Sequence, residues 1–402
     1  MRSTCAMGVL ALLAGAASGQ SPAPDADTRY FQSAPRWHIG AGADVAVTWS
    51  DDKEPSTNQT NSGATNFETF WLRANAHVDY GQWLSAVVDV YADDERRPGL
   101  FGAYLRVQPA EAFGLRVGFI PLTVGAWQDR ALPSRQPLIN QPLSSQYLTS
   151  LRNDALPGSL DDLLAQRGRG RDARYARAAG QPNNAVTLTY EHCWDTGIEA
   201  FGRLGRLRYR LAVAEGTPGA PAARVRGRKS GLSAQGRLTW QATEALRLGA
   251  SYARGPYLLD DVEPFLPSGR RLGDYRQEIA GADLRVKSGA LEAHGEWFWN
   301  RYASPFVAPA LRTQGYTGEL SWELLPGLRA AARLSGLVHG DVSDARGART
   351  SWDADAHRLE TGLAYRFASQ RLTVKGVFQR TRVDLAPRRV EDVFALQLGF
   401  SR

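Results

Sequence analysis

Runs in which every second residue is apolar recur along the whole chain, and the joints between them are alternately short and long. RLTWQATEALRLGASYARG, residues 237 to 255, shows the unit: Leu238, Trp240, Leu246, Leu248 and Tyr252 alternate with Arg237, Thr239, Arg247 and Ser251. Successive side chains of an extended chain point to opposite sides, so a period of two makes one apolar and one polar face. QATEA then reads as the turn of a hairpin.

Sixteen such runs lie near 37–50, 67–80, 83–93, 99–109, 113–125, 195–205, 206–216, 231–241, 245–255, 275–287, 290–302, 312–323, 327–340, 357–367, 370–383 and 390–400. Seven joints are tight: Gly81 with Gln82, 109–112, around Gly205, 241–245, 288–289, 324–327 and 368–370. Eight longer ones alternate with them: 51–66, 94–98, 126–194, 217–230, 256–274, 303–311, 341–356 and 384–389. One end of the sheet is therefore plain and the other elaborate, as in outer-membrane barrels with short periplasmic turns and longer extracellular loops.

A soluble sandwich also alternates, so strand length is needed to decide. Many runs reach about ten to fourteen residues, against about five or six for globular strands and about nine to eleven for a membrane crossing. Aromatics such as Trp37, Trp49, Tyr80, Trp240, Trp297 and Trp322 crowd the apolar face near strand ends, as interfacial girdles require. The expected fold is all-β: a transmembrane antiparallel β-barrel of sixteen strands with an aqueous lumen. The stretch AVTLTYEHC (185–193) also alternates and is read as an extension of the strand at 195–205; eighteen strands is the alternative.

The ends fit an exported chain. Residues 1–19 carry Arg2, a short apolar run and small residues at Ala17 and Gly19, the pattern of a signal peptide. A flexible segment, 20–36, follows, and 37–402 is the expected barrel with 126–194 as its long loop. Cys5 falls in the signal and leaves Cys193 alone, so no internal disulfide framework is expected. No apolar run is long enough for a membrane helix.

The net charge of +7 rests almost wholly on arginine, since Lys53, Lys229, Lys287 and Lys375 are the chain's lysines. Strand parity puts Arg73, Arg106, Arg116, Arg203, Arg208, Arg210, Arg237, Arg247, Arg285, Lys287, Arg329, Arg333, Arg358, Arg366 and Lys375 on the lumen face. The same parity puts Asp44, Asp79, Asp89, Glu199, Asp283, Glu292, Glu296, Glu319, Glu323 and Glu360 there. Cations outnumber carboxylates in that set, so the interior field should mildly favour anions.

Residues 126–194 are far longer than an ordinary connection, and such loops usually carry function. Ser159 is placed to cap a helix from Leu160 to about Gln166, with Asp162 three residues on. Arg167, Arg169, Arg171, Arg174 and Arg177 follow, either lining a constriction or forming a solvated tip that meets acidic lipopolysaccharide.

Little points to catalysis. The histidines are scattered, without a second ligand at metal-binding spacing, so no metal, cofactor or catalytic set is expected. His77 and His339 fall on the lumen face and are the candidates for a barrel lipid hydrolase, though no serine is tied to them by sequence. GRGRG near 168–172 lacks the lysine and hydroxyl of a phosphate loop, and export removes the chain from nucleic acid.

WHIGAGADVAVTW at the first strand, GLRVGFIPLTVG (114–125) before the long loop and VFALQLGF (393–400) at the end together resemble a general outer-membrane porin. The arginine-rich lumen with RVGFIPLTVG is loosely similar to the phosphate-selective porin family. That resemblance implies a homotrimer of sixteen-stranded barrels, a third loop folded inward, passive diffusion of small anionic or neutral solutes, and outer-membrane lipid and lipopolysaccharide as surroundings. The chain departs from it by ending on Ser401 and Arg402 after Phe400 and by its scarcity of lysine. A plugged structural or adhesive barrel that binds an extracellular partner is the alternative from another class.

Overall fold

A computed structural model describes residues 36–50, 70–93, 99–178, 185–190, 194–222, 230–367 and 371–401. Sixteen strands close into one barrel: β1 (Arg36–Ser50), β2 (Phe70–Tyr80), β3 (Leu84–Asp93), β4 (Gly99–Ala110), β5 (Phe113–Pro121), β6 (Trp194–Leu204), β7 (Leu207–Ala214), β8 (Ser233–Gln241), β9 (Leu246–Pro256), β10 (Arg276–Ser288), β11 (Leu291–Ser304), β12 (Val307–Leu325), β13 (Leu328–His339), β14 (Ala356–Arg366), β15 (Leu372–Val383) and β16 (Arg389–Ser401). Each runs antiparallel to its sequence neighbour, and β16 closes the ring on β1 from Gly42 against Ser401 to Ser50 against Val393. Closure leaves no strand edge, the condition for crossing a bilayer with strands. Among the described residues no helix is long and apolar enough to cross a membrane.

The alternation sorts the wall as the period requires. Leu238, Trp240, Leu248 and Tyr252 point outward and stay exposed on the isolated chain, whereas Arg237, Gln235 and Ser251 point inward and are buried. On β14 the outward Leu359, Leu363 and Tyr365 stand against the inward Arg358 and Glu360, both 0% exposed. An apolar exterior around a polar interior is a lipid-facing wall, because water would not tolerate so large an exposed apolar band.

At the plain end the turns whose residues are all described are two to four residues long, and Gly81, Gly205, Gly289 and Gly327 take the positive φ that such turns need. The elaborate end differs from expectation in three places. The joint expected at 303–311 shrinks to Pro305 and Phe306, because β11 and β12 continue pairing as far as Ser304 against Val307. Residues 341–356 contain a small hairpin, Asp341–Ser343 with Arg349–Ser351. The segment at 185–190 is not an extension of β6: Ala185 makes one isolated bridge to Arg152, and Val186, Thr187 and Leu188 are sealed inside the barrel. Sixteen strands therefore stand and eighteen do not. The expected signal peptide, most of the segment 20–36, the joints 51–66 and 94–98, and His192 and Cys193 lie outside the described residues.

Candidate functional site: the lumen and the loop folded into it

The ladder of β5 stops at Pro121, which has no N–H to donate, and the chain then turns into the barrel. Leu122 and Val124 are each 1% exposed, against Ala253, Ile279 and Phe298 of the wall. Gly125 sits at φ +82, and a Cβ there would lie 2.9 Å from Glu296 Oε1 and 3.0 Å from Phe298 Cζ, so only glycine fits this entry point. Past it, the segment 126–146 crosses the lumen. Leu143 and Tyr147 pack on Leu337, Ala354, Ala356 and Val383, while Leu138 and Ile139 pack on Ala331, Val377, Val393 and Ala395.

A loop inside a barrel must satisfy its own backbone polar groups without water. The wall supplies the partners. Arg210 donates from Nη2 to the carbonyls of Pro121 (3.0 Å) and Leu122 (3.1 Å), Lys375 Nζ to Leu138 (3.1 Å), Arg358 Nη1 to Gln141 (3.4 Å) and Arg366 Nη2 to Ser134 (2.8 Å). Arg333 Nη2 donates to the Asn140 carbonyl. In the other direction the Ala126 N–H donates to Glu296 Oε1 at 2.5 Å and the Gly125 N–H to Ser251 Oγ at 3.3 Å. Hydrogen bonds with a charged partner contribute about 1.5–3 kcal/mol each, enough in combination to fix the loop's path.

Most of the other inward cations are matched to carboxylates. Arg237 holds Asp283 with two bonds of 2.7 and 2.9 Å, and Glu199 is shared by Arg116 at 2.9 Å and Arg210 at 2.8 Å. Arg333 is fully buried between Glu360 (2.7 Å) and Glu319 (3.5 Å), and its guanidinium lies 5.1 Å from the Trp127 ring. Arg73 pairs with Asp89 at 2.6 Å, Arg285 with Glu292 at 2.8 Å, and Arg329 approaches Glu292 and Glu323 at 3.9 and 3.8 Å. Arg106 and Arg116 stack over Phe201 at 5.3 and 4.4 Å. Arg203 bonds Glu111 and the Gly205 carbonyl at the plain rim, where Arg208 and Lys287 are also exposed, and Arg247 keeps its Nε buried without a hydrogen-bond partner.

The run Arg167 to Arg177 makes its contacts among the outer loops. Arg167 donates to Thr350 Oγ1 at 2.8 Å, Arg174 to the Arg171 carbonyl at 2.9 Å, and Arg177 lies 4.2 Å over the Phe306 ring at the tip of the β11–β12 hairpin. Arg169 is exposed and Arg171 half-buried in the same stretch. The expected short helix is present as Leu160–Leu164, with Ser159 Oγ accepting from the Asp162 N–H at 3.2 Å. This outer half of the loop shares an apolar cluster with the neighbouring outer loops, built on Leu151, Leu156, Leu163, Tyr257, Val262 and Trp352. Within it, burial and the nearby Asp353 raise the Tyr175 phenol above its ordinary range, and its OH donates to the Ser150 carbonyl at 2.7 Å.

One side of the lumen stays open. A cavity of about 310 Å³ runs between residues 132–135 of the loop and β1, β2, β15 and β16. Its charged lining is Arg73, Arg135 and Lys375 against Asp44, and Gly40, Gly42 and Gly399 keep the wall low. Arg130, Arg135 and Trp127 are the loop residues that sequence reading missed. Period-two parity assigns faces on strands only, and no such rule reaches into a loop.

The histidines singled out for hydrolysis have other partners. His77 Nε2 lies 2.9 Å from Asp79, and His339 bonds Thr313 Oγ1 at 3.0 Å with its ring 4.7 Å from that of Trp352.

A closed sixteen-stranded barrel with its third outer loop folded into the lumen is the architecture of outer-membrane porins. No family model and no curated protein matches the chain. Solved structures do: Salmonella typhi OmpF in complex with daunomycin (TM-score 0.58, 11% identity, 91% of this chain and 97% of that one) and an anion-selective porin from Comamonas acidovorans (0.56, 10%, 92% and 100%). The trimer form of OmpT, an outer-membrane protein of Vibrio cholerae, also superposes (0.53, 9%, 92% and 100%). At these identities the likeness establishes the fold, a porin-like barrel.

Proposed function

We propose that this chain is an outer-membrane porin that passes small hydrophilic solutes by diffusion, with a mild preference for anions. The observation that carries the reading is the open side of the lumen, whose lining holds three cations, Arg73, Arg135 and Lys375, and one carboxylate, Asp44. Among these Arg135 carries most of the preference, because Arg73 is paired with Asp89 and Lys375 donates to the Leu138 carbonyl, and most other inward arginines are likewise cancelled by a carboxylate or spent on loop carbonyls. Preference for phosphate over chloride is a finer form of the same reading, for which the Arg135 guanidinium at the open cavity is the support. The outer-membrane location and a homotrimeric assembly belong to the proposal too, supported by the lipid-facing wall and by the fold shared with a trimeric outer-membrane protein.

Planar-bilayer recording on the folded chain tests it. Stepwise conductance with a reversal potential favouring chloride in a KCl gradient is expected, and exchange of chloride for phosphate measures the finer preference. A reversal potential favouring potassium overturns the anion preference. The apolar cluster that joins four outer loops around Trp352 supports a second reading, a plugged barrel that binds an outside partner. Folded, inserted protein without conductance would establish that reading in place of the first.

A further inference from the structure

The outward side of β9–β12 carries arginines at a single height. Register places Arg254 beside Glu278, Glu278 beside Arg301, and Arg301 beside Arg312, one rung across four adjacent strands. Arg276, two residues nearer the outer end, and Arg270 from the loop between β9 and β10 join Arg254, Glu278 and Arg301 around an open cleft of about 350 Å³. Four arginines and two carboxylates, Glu278 and Asp274, thus line the cleft, and Arg312 stands beside Arg301 on the rung. Glu278 is already engaged, accepting from the Tyr252 OH and paired with Arg301 Nε, both at 2.7 Å. Like charges directly opposite each other, as Arg301 and Arg312 are, destabilise a sheet unless an anion lies over them. The β15–β16 wall at the same end shows the ordinary solution: Arg380 has Asp392 at 2.6 Å and Arg382 has Asp384 at 2.9 Å.

What lies below the row says which anion fits. The next rung toward the plain end holds Tyr252 and Trp299, the one after it Trp297, and then come Leu248 and Leu284. Two residues of strand rise roughly 7 Å, so the guanidinium groups stand just above an aromatic belt and an aliphatic wall. That is the height of lipid headgroups.

We propose that this row docks the phosphates of an outer-leaflet glycolipid, a phosphorylated sugar headgroup whose acyl chains run down past Trp297 toward Leu248 and Leu284. Guanidinium forks suit phosphate oxygens, and the apolar wall directly below selects a lipid over a free anion. The inference rests on the outer-membrane reading of the barrel and is independent of what the lumen conducts.

The folded full chain in detergent is titrated with fluorescent lipid A carrying both phosphates, and binding is read by anisotropy. The triple variant Arg254→Ala, Arg301→Ala, Arg312→Ala is expected to lose about fivefold per arginine, on the order of 100-fold in all. Phosphate-free lipid A should not displace the probe, and millimolar inorganic phosphate should displace it poorly. Unchanged affinity in the variant, or equal competition by either of those two competitors, overturns the proposal. The exposed pair alone, Arg254→Gln with Arg312→Gln, keeps the Arg301–Glu278 bond and should lose ~25-fold. Unaltered binding there overturns the proposal even if the triple variant does not fold. Bilayer conductance should be the same in every variant, which separates failure of this site from failure of the porin reading.

Discussion

On the side of the lumen formed by β9–β15, inward positions include Ile279, Phe298, Leu337 and Val377, and the loop seals all four. On the side of β1 and β2 the inward positions include Gly40, Gly42, Asn75 and Arg73, and they border the open cavity. Both sides obey the same alternation, yet on the β9–β15 side several inward apolar residues on neighbouring strands lie together under the loop, whereas on β1 and β2 the inward Trp71 lines the open cavity. The loop follows those grouped residues, burying Leu122, Leu138 and Leu143 against them. Its carbonyls are then held by Arg333, Arg358, Arg366 and Lys375 on the same side. Inward apolar residues grouped on neighbouring barrel strands are thus where this loop docks, and the sequence carried them.

The difference can be broken most drastically by replacing residues 127–190 with a short flexible linker. Conductance should rise several-fold, because a sixteen-stranded barrel without its inward loop is a wide aqueous channel. Unchanged single-channel conductance would mean that the loop does not limit the pore. Next in size is Arg333→Ala, which strands Glu360, leaves Glu319 to Arg130 alone and releases the Asn140 carbonyl. Removing one partner of a buried ion pair costs about 3–5 kcal/mol, so denaturant midpoint and channel uniformity should both fall. Arg237→Ala strands Asp283 in the same way, but Arg237 makes no bond to the loop; its midpoint should fall while conductance keeps its value. Two variants with equal conductance effects would remove the distinction between wall pairs and loop clasps.

Smaller effects sharpen the comparison. Arg135→Glu changes the cavity lining from three cations and one carboxylate to two of each. Its reversal potential should move toward zero with little change in stability, since Arg135 makes only an exposed bond to the Asp129 carbonyl at 3.3 Å. Ser159→Ala should cost the outer half of the loop about 1 kcal/mol of helix capping, seen as faster amide exchange over 160–165, with conductance unaltered.

Strand faces were legible because the period is local: Leu359 and Arg358 part company by the geometry of one extended residue, whatever else the chain does. The barrel was legible for a similar reason, since the turns and loops alternate along the sequence itself. Pairing was not. Parity put Arg237, Asp283, Arg333 and Glu360 in the lumen, but which cation meets which carboxylate depends on register across strands far apart in the chain. The Arg167–Arg177 run read equally as a constriction or a solvated tip, and its contacts with Thr350 and Phe306 were not legible, because loop paths follow distant contacts and not a repeat. The stretch at 185–190 misled for the opposite reason: its alternation is real, but its alternate residues pack inside the barrel and pair with no wall strand.

By itself, then, the sequence determined a closed antiparallel wall, its two faces and its two unequal ends, all consequences of residue-by-residue geometry. The tertiary structure alone decided which lumen charges survive, because a guanidinium beside a carboxylate or a buried carbonyl no longer acts on a passing ion. It also decided where the water remains, through the one path by which a long loop could bury its leucines and satisfy its backbone.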